Sequence, residues 1–200
     1  PQISADLTVR WCSSYLKIHV MDIAICNQPR FNGKRLLTIS GERAEESPHR
    51  ARYAPLERGR NHSGVRYEDR WRPVHRWPET KVWEIIKRYS INPHPAYRLG
   101  WGRFSCLYCI FGSKNQWATG RHIDPGGFRR VRDYEADFGI TIQRDRTPID
   151  RFADMGAVYP DLDPRDIAAA MSETFNEPII LRPGQWRLPK GAFGEQAGPI

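Results

Sequence analysis

Four cysteines, Cys12, Cys26, Cys106 and Cys109, are the residues best suited to chemistry in this 200-residue chain. Cys106-Leu-Tyr-Cys109 is a C-x-x-C pair, a spacing that lets two thiolates converge on one metal centre. Cys12, in Arg10-Trp-Cys-Ser-Ser-Tyr-Leu-Lys17, can join them from a distant helix edge and complete three corners of a cubane cluster. Tetrahedral zinc held by all four thiolates satisfies the same arithmetic, and unligated thiols are a third reading. Cys26 sits near an expected helix end, where a buried thiol is the plainer account. Four cysteines are too few for a disulfide scaffold, and a close pair is typical of reducing compartments.

A second constellation is Gly41-Glu-Arg-Ala-Glu-Glu-Ser47, with Arg50 three residues on. Following an expected strand, this turn offers Arg43 and Arg50 as charge-assisted anion contacts, with Ser47 and backbone amides as further donors. That is a seat for phosphate or sulfate. The competing reading is an exposed loop in which Arg43, Glu45, Glu46 and Arg50 pair with one another.

These residues need elements to hold them. Leu16, Val20, Ile23 and Ala24 have helical spacing, so residues 13–25 read as a helix behind capping serines. Residues 34–40 form a short apolar run closed by Gly41, the pattern of a buried strand opening into a loop. Residues 49–76 are rich in Arg and His with little periodicity, and are expected to be a loop. Pro78 suits a first helical position, and Val82, Trp83, Ile85 and Ile86 give residues up to 89 an apolar face. Beyond the cysteine pair, residues 128–138 read as a charged helix, and Asp163-Pro164 caps a helix reaching about 175. The Pro- and Gly-rich stretch 177–200 is expected to be an extended or partly disordered tail.

The formal charge of +8 favours polyanionic partners, nucleotides or nucleic acid among them. Arg129-Arg130-x-Arg132 and the Arg-rich stretch are the expected backbone contacts. No apolar run is long enough for a membrane span, and the simplest expectation is a cytoplasmic protein with no membrane partner.

Taken in order, Arg10-Trp11-Cys12 with Leu16-Lys17, Gly41-x-Arg43-x-x-Glu46-Ser47-x-x-Arg50, Arg72-Pro73-Val74 with Val82-Trp83, and Gly100 to Cys109 resemble the later part of phosphoadenosine phosphosulfate reductase-like proteins. The resemblance spans roughly residues 8–112. It implies an α/β chain with an incomplete Rossmann-like nucleotide-binding sheet over residues 1–112, a mainly helical extension over 113–176, and the tail. It further implies that Lys17, Arg43 and Arg50, within the motif that also contains Glu46 and Ser47, contact an adenine nucleotide or its transferred group. Cys12, Cys106 and Cys109 would hold a 4Fe-4S cluster. Two departures bear on activity. The family's Ser-Gly-Gly-x-Asp-Ser phosphate loop is not found in these residues, so a second polypeptide supplying it is one expectation. No cysteine follows Cys109, so the late thiol nucleophile of true sulfonucleotide reductases is missing from this stretch. Both departures favour relatives in which a cluster handles sulfur, such as DNA phosphorothioation or tRNA thiolation sulfurtransferases. The expected role is sulfur-group transfer or reduction on an adenylated substrate. The non-enzyme rival is a nucleic-acid-binding or assembly subunit with a structural metal.

Overall fold

The computed structural model describes residues 14–103, 106–143 and 145–195. The chain is a mixed α/β protein that divides by contacts into two compact units, residues 8–82 and residues 83–199 with 1–7.

In the first unit a π-helical turn, Ser14–Ile18, runs into α1, His19–Asn27. The apolar run then forms β1, Arg35–Ile39. The Arg-rich stretch departs from the expected loop. It contains α2, Pro48–Ala51, β2, Leu56–Arg58, and β3, Tyr67–Trp71. β3 is the central strand, parallel to β1 and antiparallel to β2. Register pairs Leu37 with Asp69, Ile39 with Trp71, and Leu56 with Trp71. Alternation therefore places Leu37, Ile39, Leu56 and Trp71 on one face, where all four are exposed. The opposite face carries Leu36, Thr38, Glu57, Glu68 and Arg70.

Glu68 is fully buried on that second face, accepting from Thr38 Oγ1 at 2.5 Å and from the Asn61 amide at 2.7 Å. Gly59 lies directly against the Glu68 side chain, so a Cβ there would collide with the carboxylate. Asn61 then reaches Asp22 of α1 through Nδ2 at 2.9 Å, tying helix to sheet. A polar chain replaces an apolar core here because the carboxylate's oxygens are met by close donors.

The second unit is helical. α3, Glu79–Arg88, crosses the division, and α4, Pro95–Arg98, follows the Asn92-Pro93-His94-Pro95 break. Then come α5, Lys114–Ile123, α6, Pro125–Phe138, α7, Ile149–Asp154, and α8, Pro164–Met171. Ser113 caps α5 in a box with Gln116, and Asp124 and Asp163 accept the first-turn amides of α6 and α8. Trp117, Phe128, Ile149 and Ala153 form one apolar cluster, and Ala96, Leu99 and Trp101 a second. Between Met171 and Glu195 the chain is irregular but anchored. Ile180 bridges Ile91, Trp186 Nε1 donates to the Ile91 carbonyl at 3.1 Å, and the Gly191 amide donates to the Tyr97 carbonyl at 2.8 Å. Gly191 also packs on the Trp101 backbone, closer than any side chain allows. Among the described residues, no helix is long and apolar enough to cross a membrane.

Candidate functional site

β1 and β3 run in parallel, so their carboxyl ends open together, and the Ser40 amide donates to the Trp71 carbonyl at 3.0 Å just beyond the ladder. Ligands of open α/β sheets sit at this end. The loop from Gly41 to Arg50 leaves β1 here, and the Ala44 amide is fastened to the His75 carbonyl at 2.8 Å. His75 is itself buried, with Nε2 set 2.9 Å from the Arg50 carbonyl.

Within the loop the two arginines meet glutamates. Arg43 Nη1 lies 2.7 Å from Glu45 and 3.3 Å from the Trp77 carbonyl, while Arg50 forms an ion pair with Glu46 one helical turn back. Arg43 Nε is 3.8 Å from Glu46, so that carboxylate bridges both guanidiniums. The Glu79 amide and then Arg43 hold the Glu45 carboxyl below its ordinary range. Ser47 is buried, and its Oγ caps α2 by accepting from the Arg50 amide at 3.2 Å. The loop therefore arrives with its cations neutralised, and an incoming anion must displace a carboxylate or find another donor.

Arg72 completes the frame. It is buried, donates to Glu42 at 3.2 Å, Glu57 at 2.7 Å and the Ala54 carbonyl at 2.7 Å, and stacks over Tyr53. Burial alone would raise the Glu42 carboxyl, but the Ser40 hydroxyl, a backbone bond and the guanidiniums of Arg72 and Arg70 outweigh it and hold the group low. Arg72 marks the family motif in the sequence, yet its anchoring role depends on β3, which charged residues conceal. Lys17 stands exposed in the π-helical turn and makes no ion pair or hydrogen bond among the described residues.

Cys106 and Cys109 lie in the second unit, on the turn before α5. The two residues between them are anchored in different clusters, Leu107 against Leu99 and Trp101, and Tyr108 against Trp117 and Phe128. The Tyr108 hydroxyl donates to the Gly120 carbonyl at 3.1 Å and the Asp124 carbonyl at 2.5 Å, and burial pushes its ionisation well up. The Gly112 amide donates to the Cys109 carbonyl at 2.7 Å. Cys106 is exposed and Cys109 half-buried. Cys106 also borders an apolar cavity of about 190 Å³ lined by Leu99, Trp101, Ile123 and Met171.

Of the other proposed ligands, Cys26 belongs to the first unit, where its Sγ lies 3.5 Å from Asn61 Oδ1 and 3.3 Å from Arg66 Nη1. Cys12 lies outside the described residues. Among the described residues no three His, Cys, Asp or Glu side chains gather to hold a metal.

A model of the phosphoadenosine phosphosulfate reductase domain matches residues 4–131. The chain is also 29% identical over 126 residues to an uncharacterized 37.8 kDa protein, described as lying in the gpa 5' region, of Escherichia phage 186. That match covers 63% of this chain but 37% of the relative's length. No solved structure matches.

Proposed function

Because the chain belongs to the phosphoadenosine phosphosulfate reductase family, its domain spanning both the Gly41–Arg50 loop and the cysteine turn, we propose that it binds an adenylated substrate and serves in sulfur-group transfer or reduction on it. The observation that carries this reading is the placement of the loop at the carboxyl end of two parallel strands, where a nucleotide's anionic group can enter. Arg43 and Arg50 would exchange Glu46 and Glu45 for that group, one charge-assisted pair for another. Ser47 Oγ accepts from the Arg50 amide and keeps its own proton to donate. Lys17, exposed and unpaired among the described residues, would add a mobile charge.

The same reading gives Cys12, Cys106 and Cys109, with Cys26 as a further candidate, to a 4Fe-4S cluster or to zinc. Cys106 and Cys109 suit such a centre, since one anchored turn carries both sulfurs. The described residues do not complete the set, and Cys26 is engaged with Asn61 and Arg66, so no chemical step is derived through a metal. The phosphate-loop half of the site would come from other residues, on this polypeptide or a second one.

The deciding experiment is titration of the anaerobically purified protein with adenosine 3',5'-bisphosphate, alongside iron, sulfide and zinc analysis. Arg43→Ala is expected to weaken nucleotide binding, and unchanged affinity removes Arg43 from the site. A colourless protein with stoichiometric zinc and no iron rules out the cluster.

A second reading, nucleic-acid thiolation, is favoured by the exposed Arg52, Arg76, Arg129 and Arg130, none of which has an ion pair among the described residues. Retention of a long DNA or tRNA at moderate salt supports it, and elution at low salt counts against it.

A further inference from the structure

Arg70 is the next-to-last residue of the central strand, and register sets it between Thr38 of β1 and Glu57 of β2 on the polar face. A guanidinium in that position ordinarily takes the nearest carboxylate. Each of the acidic groups around it is already committed. Glu57 accepts from Arg72 Nη2 at 2.7 Å. Glu68 accepts from Thr38 and the Asn61 amide. Glu42 accepts from Ser40 and from Arg72 Nε at 3.2 Å.

Arg70 Nε is consequently buried with no hydrogen-bond partner, and Arg70 makes no ion pair among the described residues. Arg66 also has an unpartnered Nε, but its terminal nitrogens are bound to Cys26 and Asn32. Arg52 and Arg76 are exposed, so water meets their donors. Arg70 alone among these combines a buried donor that lacks an acceptor with a guanidinium that makes no hydrogen bond or ion pair among the described residues, although its charge helps hold the Glu42 carboxyl low. An N–H removed from water without an acceptor carries its full desolvation cost, which an acceptor arriving from outside recovers. The planar fork matches the oxygens of a phosphoryl or sulfuryl group.

We infer that Arg70 is the first anion contact of the sheet unit, receiving a phosphoryl or sulfuryl group at the carboxyl ends of β1 and β3. It acts ahead of Arg43 and Arg50, which must first release Glu45 and Glu46. The seat follows from the geometry; that the anion belongs to an adenylated substrate rests on the function proposed above. Sequence motifs pass over Arg70 because it lies between the family's recognisable segments, in a stretch whose strand character is hidden.

The test uses the full chain labelled with nitrogen-15 and follows the arginine Nε–Hε signals by NMR. The Arg70 signal is assigned by its loss in Arg70→Lys, which keeps the charge and should leave the backbone amide spectrum unchanged. Inorganic pyrophosphate and adenosine 3',5'-bisphosphate are titrated separately. Both should shift the Arg70 signal, and Arg70→Gln should weaken nucleotide binding about ten-fold or more, as loss of a charge-assisted pair does, with a smaller loss in Arg43→Ala. An Arg70 signal unmoved by both probes overturns the inference. So does Arg70→Gln binding the nucleotide as tightly as the parent. A response to pyrophosphate with no gain from the adenosine moiety keeps the seat and removes the adenylated substrate. Nucleotide binding that survives Arg70→Gln but fails in Arg43→Ala keeps the substrate and removes the seat.

Discussion

Among the described residues, the buried apolar side chains, from Trp83 through Trp117 to Ala153, all belong to residues 83–199, whereas those buried in residues 8–82 are polar: Ser47, Asn61, Glu68, Arg72 and His75. The helical unit is held by area removed from water, at about 25 cal/mol per Å². The sheet unit is held by hydrogen bonds and ion pairs, each contributing on the order of 1 kcal/mol net. Four of the sheet's apolar side chains, Leu37, Ile39, Leu56 and Trp71, lie exposed on one face, and Leu36 is half-buried on the other. A binding loop is expected in the less stable part of a molecule, because ligands remodel what costs least to open. The Gly41–Arg50 loop is in the unit whose buried side chains are polar, and the Cys106–Cys109 turn is wedged into the one whose buried side chains are largely apolar.

The contrast can be broken most forcefully at Trp117, which is 1% exposed and touches Tyr108 and Phe128. Trp117→Ala should cost about 3–5 kcal/mol in urea unfolding of the helical unit. In the sheet unit, Glu68→Ala leaves the Thr38 hydroxyl and Asn61 amide without their acceptor and should cost roughly 1–3 kcal/mol. If Glu68→Ala proves the more damaging, polar burial rather than apolar packing governs the stability of the chain.

A pH titration sharpens the comparison from the other side. Hydrogen bonding to Arg98, at 2.6 Å, is the main reason the Glu177 carboxyl ionises below its ordinary value of 4.5. Its folded value being lower than its unfolded one, Glu177 contributes full stability above about pH 4.5 and loses it as pH falls through the folded value. The urea midpoint of the helical unit should therefore drop over that acid range, and Glu177→Gln should flatten the drop. Smallest is Arg88→Ala, which removes an exposed pair with Glu84 one turn away and should change stability by about 0.3–0.5 kcal/mol or less. A larger loss would show that surface ion pairs matter in the apolar unit too.

The elements differ in how plainly the sequence marks them, for physical reasons. Apolar periodicity marked β1 and α3, and capping residues marked α8, because those signals are local. β3 was hidden: Tyr-Glu-Asp-Arg-Trp has charged residues at its centre, and its pairing with β1 and β2 and the acceptor role of Glu68 toward Thr38 and Asn61 appear only in the fold. The tail's Pro and Gly content forecast its irregular path but not its anchoring to Ile91, Tyr97 and, through Glu195, to Ser113 and Asn115.

The sequence by itself determined the family, through an ordered series of short motifs, and determined which residues were available for chemistry. Tertiary structure decided which of those residues were already spoken for. Arg43, Arg50 and Ser47 could be named from the chain, but whether a guanidinium is neutralised depends on which carboxylates the fold brings within reach, a sum of distances that spacing along the chain does not contain. Arg70 could not be named for the same reason, since its isolation exists only once Glu42, Glu57 and Glu68 have turned to other donors.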